Sequence, residues 1–231
     1  MYRYETHMHT APASKCAEID VRRNLLFYKS LHYDGVFITN HFLDGNIGGD
    51  RSLPYDDQLN FFLADYEQSK IVGAEIGLKV FFGVEISLHG TDFLIYGLDG
   101  DWYRVHPEIM AMKKSQELPF MRDAGAFIIQ AHPFRESGHI DHIRLFPRCV
   151  EGVEVINANR TPFENHMAEI YAAEYGLLRF AGSDNHKGPN QVKLAGMECQ
   201  TPLESERDLI DRMRAGEMYT FFEERTERRT L

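Results

Sequence analysis

Cysteine and long apolar runs are scarce in this 231-residue chain. The three cysteines, Cys16, Cys149 and Cys199, are odd in number and far apart. The sequence therefore indicates no disulfide framework and favours a reducing, cytoplasmic location. No apolar stretch reaches the roughly 18 residues that a membrane-spanning helix needs. The N-terminus also lacks a basic region followed by an apolar one, so neither a membrane span nor a signal peptide is expected.

An excess of positive charge is absent as well. Aspartate and glutamate (35) outnumber lysine and arginine (25), which gives a formal net charge of −10. Proteins that bind the phosphate backbone of nucleic acids are usually basic, so an extended nucleic acid is disfavoured as a partner. An acidic chain can still bind a small phosphorylated molecule if its site carries cations.

Internal repeats, low-complexity segments and a linker rich in proline, glycine or serine are also missing. The length suits one large α/β domain, and residues 1–231 are predicted to form a single domain. Hydrophobic residues make up 43% and charged residues 26% of the chain, which is typical of a globular enzyme. Nothing in the pattern indicates an oligomeric state.

Apolar strand-like stretches alternate with stretches of helical spacing. The predicted strands are Arg3–Thr6, Gly35–Thr39, Lys79–Val84, Asp92–Gly97, Ala126–Gln130, Gly152–Ile156, Arg179–Ala181 and Tyr219–Phe222. The predicted helices are Cys16–Leu31, Pro54–Ala74, Pro107–Arg122, Phe163–Tyr175 and Pro202–Ala215. Such alternation indicates a parallel sheet, either in a barrel or in a doubly wound arrangement.

Residues that can bind metals recur at the ends of these strands. His7 and His9 are two residues apart, so they point to the same face of a strand. The stretches "VFIT", "VFFGV", "FIIQ" and "RFAGS" lead to His41, Glu85, His132, Asp184 and His186. In a barrel such strand ends meet at one mouth. This mixed nitrogen and oxygen set exceeds the needs of one tetrahedral ion, so it predicts two or more ions of zinc, manganese or iron(II) and excludes a thiolate-only site.

Basic residues accompany the predicted ligands. Arg135 follows His132 by three residues, and Arg160 follows the strand "GVEVIN". Lys187 comes directly after a predicted ligand, and Lys15 lies near the first motif. A guanidinium group binds phosphate in a two-pronged fork, so these residues are candidates for substrate binding. The alternative is that they are ordinary surface cations in loops.

The motifs "THMHT", "GVFITNHF", "FFGVEIS", "IIQAHPFR" and "AGSDNH" together resemble the PHP family (polymerase and histidinol phosphatase domains), over nearly the whole chain. The resemblance implies a distorted (β/α)7 TIM-like barrel, two or three divalent transition metal ions, and phosphoester hydrolysis. It implies that one ion is held by His7, His9, Glu85 and Asp184. It also implies that Glu85 bridges to a second ion that His132 binds, and that His41 and His186 belong to a third.

Three positions depart from the family pattern. Lys15 and Cys16 stand where many relatives have a histidine or aspartate ligand, and of the two only Cys16 could ligate, as a thiolate. A second-site histidine is missing; Asp99, which follows a predicted strand, is the preferred replacement, although it could equally form a turn. Asn40 stands where a carboxylate is common.

The leading hypothesis is a histidinol-phosphatase-like enzyme. It would hydrolyse a phosphomonoester or small phosphodiester by means of a metal-activated hydroxide. Asp184 would relay a proton, His186 would protonate the leaving alkoxide if it is not fully metal-bound, and Glu85 would be the bridging carboxylate. Two alternatives remain: a metal-dependent amidohydrolase that cleaves carbon–nitrogen bonds, and a degenerate PHP domain that binds metal without turnover.

Overall fold

Strands and helices alternate through most of the chain, as the periodicity predicts. The computed structural model describes residues 1–225. The strands are β1 (Tyr2–Met8), β2 (Gly35–Ile38), β3 (Lys79–Phe82), β4 (Val84–Leu88), β5 (Thr91–Tyr96), β6 (Phe127–Ala131), β7 (Gly152–Asn157), β8 (Leu178–Gly182), β9 (Lys193–Cys199) and β10 (Met218–Glu224). The helices are α1 (Val21–Ser30), α2 (Tyr55–Ile76), α3 (Gly100–Val105), α4 (Lys114–Asp123), α5 (Pro162–Tyr175) and α6 (Glu206–Ala215).

The strands form two mixed sheets. One has the order β10-β9-β1-β2-β3 and the other the order β4-β5-β6-β7-β8. β1, β2 and β3 pair in parallel, as do β6, β7 and β8, whereas β4-β5-β6 and β1-β9-β10 are antiparallel. Isolated bridges join Met8 to Asn185 and His41 to Glu85, so the two sheets approach each other at these points.

The predicted α/β class is confirmed, but the ladders of residues 1–225 do not form the closed (β/α)7 barrel that was expected. The antiparallel β4-β5 pair, one part of this difference, has a local cause. His89 and Gly90 both have positive φ (48° and 83°) and form a tight turn between β4 and β5. Two strands joined by so short a turn pair antiparallel, because a parallel pair needs a long crossover connection.

Several predicted boundaries shift for visible reasons. α1 begins at Val21 rather than at Cys16, because the side chain of Asp20 caps it by accepting a hydrogen bond from Arg23 N. The predicted strand 79–84 divides at Gly83, where the chain passes from one sheet to the other. The predicted helix 107–122 divides into a 3-10 turn, Pro107–Ala111, and α4.

An aromatic core lies below the strand ends. Phe37 stacks on Phe81 with 4.7 Å between ring centroids and meets Tyr96 edge-on at 5.4 Å. Tyr4, Tyr96 and Phe180 are fully buried in the same cluster. Burying each ring stabilises the fold by about 1.5–3 kcal/mol, which gives the strand ends a rigid base. No helix within residues 1–225 is both long and apolar enough to cross a membrane.

Candidate metal centre

Seven of the predicted ligands converge at one end of the two sheets. His7 lies in β1 and His9 follows it, His41 follows β2, Glu85 lies in β4, His132 follows β6, and Asp184 and His186 follow β8. They form three overlapping groups of three residues. In each group, one potential ligand atom from each residue lies within 4.8 Å of the other two. The groups are His7–His9–Asp184, His7–Glu85–His132 and His9–His41–His186. All but His186 are buried. The geometry therefore offers donors for more than one ion.

Glu85 stands at the centre of this arrangement. Its Oε1 lies 3.3 Å from His7 Nε2 and 3.4 Å from His132 Nε2. Its Oε2 lies 2.6 Å from His41 Nδ1 and 3.4 Å from His9 Nε2. Each carboxylate oxygen thus faces a different pair of imidazoles, which is the placement that a carboxylate between two ions needs.

The nitrogen and oxygen atoms of these side chains are suited to binding cations. Both oxygens of Glu85 are buried and accept no well-aligned hydrogen bond among the described residues, although Oε2 lies 2.6 Å from His41 Nδ1, and the Nδ1 atom of His132 has no partner there. A buried carboxylate without hydrogen bonds costs free energy unless a cation compensates it. Imidazole and carboxylate together suit zinc, manganese or iron(II). The residues present therefore fit divalent ions.

Asp184 and His132 both have left-handed backbones. Their φ angles are 52° and 27°, a region that residues other than glycine rarely adopt. The left-handed turn after β8 brings Asp184 Oδ1 to 3.4 Å from His9 Nε2 and 3.6 Å from His7 Nε2. Backbone strain of this kind concentrates at functional sites, where the surrounding structure holds it in place.

Glu154 in β7 orients two of these ligands, and sequence reasoning missed it. Its Oε1 lies 2.9 Å from His7 Nδ1, so His7 Nε2 is left facing Glu85 and Asp184. Its Oε2 accepts hydrogen bonds from the His132 backbone N–H at 3.0 Å and from Asn157 Nδ2 at 2.8 Å. A carboxylate beside the far nitrogen of a ligating histidine fixes its tautomer. The signal available in the sequence was a charged residue in the middle of the apolar strand "GVEVIN".

A second network fixes the segment after β1. Ser14 Oγ lies 3.1 Å from His9 Nδ1 and donates to Asn40 Oδ1 at 2.9 Å. Asn40 also accepts from the Thr10 backbone N–H at 2.7 Å and donates to Thr10 Oγ1 at 2.8 Å. The amide uses its donor and its acceptor together, which a carboxylate at position 40 could not do.

The charges of the ligands depend on one another. Burial alone would lower the pKa of His7, but the surrounding carboxylates, Glu154 above all, raise it well above the usual value. Burial alone would raise the pKa of Glu85, but the imidazoles of His41 and His7 hold it well below its usual range. Burial and two neighbouring imidazoles lower the pKa of His9. Without a bound ion, the surrounding charges therefore favour the protonated form of His7 and the neutral form of His9.

Asp92, not Asp99, is the additional carboxylate beside His132. Asp92 Oδ2 lies 3.7 Å from His132 Nε2, and its Oδ1 accepts from Ser87 Oγ at 2.6 Å. Burial and the nearby Glu85 carboxylate raise the pKa of Asp92. Asp99 instead caps α3 by accepting from Trp102 N–H at 2.8 Å, and it lines none of the cavity that holds the ligands. The expectation for Asp99 assumed a parallel strand; because β5 runs antiparallel, its start rather than its end faces the centre.

The ligands open into a cavity of about 560 Å³. Arg135 and Arg160 line it, and the Nε atom of each is buried without a hydrogen-bonding partner in the part of the chain that the structure describes. Arg135 Nη1 lies 3.4 Å from Asp92 Oδ2. Lys15 and Lys187 are exposed and do not line the cavity. The structure thus places two of the four predicted cations where a substrate could meet them.

Cys16 also lines the cavity, and it is half-buried. Burial alone would raise the pKa of its thiol. Hydrogen-bonding contacts with the imidazoles of His186 and His41 outweigh burial and lower the pKa to about 6. The thiol of Cys16 therefore lies in the same cavity as the predicted ligands and has a lowered pKa.

Gly182 makes room for His7, and a methyl group there should disturb the centre. A Cβ at position 182 would overlap His7 Cβ and would lie 2.8 Å from Glu154 Oε1. We expect Gly182→Ala to destabilise the protein by about 1–3 kcal/mol, the usual cost of overpacking, and to weaken metal binding. Thermal unfolding and metal titration would measure both effects. Gly138→Ala is the matched control, because a Cβ at that exposed glycine meets no atom within 4 Å; equal effects of the two changes would contradict this role of Gly182.

Comparisons with known proteins agree with this geometry. A family model described as "PHP-associated" matches residues 162–218. A two-domain protein from Bacteroides vulgatus that contains a predicted PHP-like metal-dependent phosphoesterase has a similar fold, with a TM-score of 0.67 and 12% sequence identity over 95% of this chain. These findings support the PHP-domain family for this chain.

Two further solved structures have a fold similar to that of this chain. One is a candidate metal-dependent phosphoesterase from Bifidobacterium adolescentis, with a TM-score of 0.58, 14% identity, and coverage of 91% of this chain and 95% of that one. The other is an amidohydrolase from Chromobacterium violaceum with bound sulfate and no metal, with a TM-score of 0.57, 13% identity, and coverage of 94% and 97%. The chain spans 64% of the length of the Bacteroides protein. A search of curated proteins found no match.

Proposed function

We propose that this chain is a metal-dependent phosphoesterase that hydrolyses a small phosphorylated compound, either a phosphomonoester or a small phosphodiester. The observation that carries the proposal is the placement of Glu85, whose two buried oxygens face four imidazoles. Two arginines line the same cavity. Ligands for cations and groups that bind phosphate therefore share one space, which is the combination that phosphoester hydrolysis needs.

The residues of the chain would bind the metal ions and orient the ligands in the following way. His7, His9, Glu85 and Asp184 would hold one ion, His132 and Glu85 a second, and His41 and His186 would contribute to a third. Divalent zinc, manganese or iron in these positions would supply Lewis-acid activation of water and neutralise charge on the phosphate. Glu154 would keep the proton of His7 on Nδ1, away from the ligating nitrogen.

Arg135 and Arg160 would hold the phosphate. Each has a buried Nε without a partner in residues 1–225, and a guanidinium fork matches phosphate oxygens. Asp92 would support Arg135, since its carboxylate lies 3.4 Å from Arg135 Nη1. Lys15 and Lys187 have exposed side chains, so the proposal gives them no direct contact with the phosphate.

Replacing Arg135 with alanine should weaken substrate binding. A hydrogen bond to a charged group contributes about 1.5–3 kcal/mol, so we expect KM for phosphorylated substrates to rise about tenfold or more while the metal content stays unchanged. Steady-state kinetics with elemental analysis would measure both. Arg148→Ala, at an exposed arginine outside the cavity, is the matched control. An unchanged KM and kcat in Arg135→Ala would remove this residue from phosphate binding.

Metal stripping tests the proposal as a whole. Protein purified without chelator should contain two or three equivalents of transition metal, and it should release phosphate from a panel of phosphoesters. Dialysis against a chelator should abolish the release, and adding back zinc, manganese or iron(II) should restore it. Bound metal without phosphate release would contradict the proposal and favour a degenerate domain.

An amidohydrolase is the second candidate, because one of the similar structures is an amidohydrolase. The same stripped and reloaded protein distinguishes the two, since a carbon–nitrogen hydrolase releases an amine and a phosphoesterase releases phosphate. Arg135 and Arg160 favour the phosphoesterase, because an uncharged amide gives two guanidinium groups no anion to bind.

A further inference from the structure

The two arginines that would hold the phosphate lie in two separate loops. Arg135 lies in the loop after β6, and Arg160 lies in the loop between β7 and α5. Each loop has a hydrogen bond of its own, from Arg135 N–H to His132 O at 2.9 Å and from Arg160 N–H to Asn157 O at 3.0 Å. These two bonds shape each loop but do not join one loop to the other.

Glu164, in the first turn of α5, joins the two loops. Its Oε1 accepts a hydrogen bond from the Glu136 backbone N–H at 2.8 Å, and its Oε2 accepts one from the Thr161 backbone N–H at 2.7 Å. Glu136 and Thr161 are the residues that directly follow Arg135 and Arg160. One carboxylate thus holds the backbone beside each arginine, with one oxygen for each loop.

The charge of Glu164 also acts on Arg160. Glu164 Oε1 lies 4.0 Å from Arg160 Nη1, which is too far for a hydrogen bond. The contact attracts the guanidinium group without using its N–H donors, and Arg160 Nε is buried without a hydrogen-bonding partner among residues 1–225. Glu164 is itself only 7% exposed and does not line the cavity. Its effect on a substrate would therefore pass through the two loops.

Apolar packing brings the first of these loops onto α5. Phe134, directly before Arg135, packs against a buried cluster that includes Ala168 and Tyr171 of this helix. The rings of Phe134 and Tyr171 meet edge-on with 6.1 Å between their centroids. The packing holds the loop against the helix, and the directional hydrogen bond to Glu164 fixes the position of its backbone.

We propose that Glu164 is a positioning residue that sets the spacing of Arg135 and Arg160 for a phosphate group. The inference rests on the proposed phosphate-binding role of the two arginines, but not on hydrolysis. It gives the carboxylate a second role beside the capping box that it forms with Thr161 at the start of α5. Binding groups that are already in place need less ordering when a ligand arrives, so losing the correct spacing should weaken phosphate binding.

Glu164→Gln separates this role from helix capping, because glutamine also serves in a capping box. An amide has a single accepting oxygen. If that oxygen stays on Thr161 N–H, the N–H2 group meets Glu136 N–H and the Arg160 guanidinium. In the opposite orientation the amide gives up the cap and still lacks the negative charge beside Arg160.

The probe is inorganic phosphate, titrated into the metal-loaded protein by calorimetry. We expect the Kd for phosphate to rise roughly tenfold in Glu164→Gln, the scale of losing one hydrogen bond to a charged group. Elemental analysis should find the metal content unchanged. In an Arg160→Ala background, Glu164→Gln should raise the Kd by a smaller factor than in the wild type, because the effects of residues that act through one another are not additive.

Two control variants show what a purely structural role would give. Thr161→Ala removes the side-chain acceptor of the cap, which receives Glu164 N–H at 3.2 Å. It should lower the unfolding temperature by about 2–4 °C and leave the Kd for phosphate unchanged. Glu169→Gln changes another carboxylate of the same helix, one that pairs with Arg179, and should also leave the Kd unchanged.

Each outcome decides the inference separately from the hydrolase proposal. A higher Kd in Glu164→Gln alone supports it whether or not the protein hydrolyses any phosphoester. An unchanged or lower Kd in Glu164→Gln, an equal rise in Thr161→Ala, or an undiminished rise in the Arg160→Ala background would overturn it. If Glu164→Gln does not fold, Glu164→Asp carries the comparison, because its shorter side chain keeps the charge but draws the carboxylate away from Glu136. A wild-type protein that binds no phosphate would overturn both this inference and the role of the two arginines.

Discussion

Replacing Glu85 with alanine is expected to abolish metal-dependent phosphate release and to remove bound metal. Each oxygen of this carboxylate faces two imidazoles at 2.6–3.4 Å, so one residue contributes to more than one of the ligand groups. Without the Glu85 carboxylate, the ring nitrogens of His7, His41 and the other imidazoles face one another. Their mutual repulsion as cations and the loss of a negative ligand both disfavour binding of a divalent ion.

The expected loss in kcat/KM is at least on the order of 10²-fold, the scale of a single electrostatic group in an active site. Glu85→Gln adds a sharper comparison, because it keeps the volume and removes only the charge. Elemental analysis, phosphate release and circular dichroism would be measured on both variants. Glu75→Gln is the matched control, since Glu75 is a surface residue paired with Arg22. Retained activity with full metal content in Glu85→Ala would show that Glu85 does not bridge the ions.

The ligands at the strand ends were predictable because two simple rules act together there. Alternation along β1 places His7 and His9 on one face, and strands that start from a common core end at a common edge. His41, His132, Asp184 and His186 follow apolar strands whose burial is evident from the sequence. These rules need no knowledge of which strands pair, and the structure brings all of these side chains together.

Strand direction is what the sequence did not reveal. A parallel and an antiparallel strand can carry the same apolar run, and the turn at His89 and Gly90 gave too weak a signal to reverse β5 in the prediction. The reversal moves Asp99 to the far end of the sheet and Asp92 to the centre. For the same reason the sheet β4-β5-β6-β7-β8 is mixed rather than wholly parallel.

Glu154 was missed for a different reason. A lone carboxylate in an apolar strand has no periodic signature, and its role depends on His7, which is 147 residues away in the chain. The pairing of β7 with β6 and β8 brings the two side chains together. Only the folded structure specifies such long-range hydrogen bonds, although a buried charge in a strand always requires a partner.

Replacing Glu154 with glutamine should weaken metal binding without removing any ligand. The carboxylate accepts three hydrogen bonds, from His7 Nδ1, the His132 backbone N–H and Asn157 Nδ2. An amide offers one accepting oxygen and one donating nitrogen, so in either orientation its N–H2 group faces a donor. If the N–H2 group faces His7, the His7 proton must move to Nε2 and block the ligating nitrogen. If it faces His132, two donors meet in a buried space.

The first orientation places a proton on the ligating nitrogen and the second leaves a buried donor unsatisfied, so either one should cost about 1–3 kcal/mol, or roughly 10- to 100-fold in metal affinity. Competition with a chromophoric chelator would measure that affinity. Glu151→Gln is the matched control, since Glu151 lies three residues earlier and pairs with Arg214 at the surface. A positioning role further predicts that excess metal rescues phosphate release in Glu154→Gln, because every ligand is still present. A loss of turnover that saturating metal does not restore would instead place Glu154 in the reaction itself, and unchanged affinity would show that the His7 tautomer is fixed by other means.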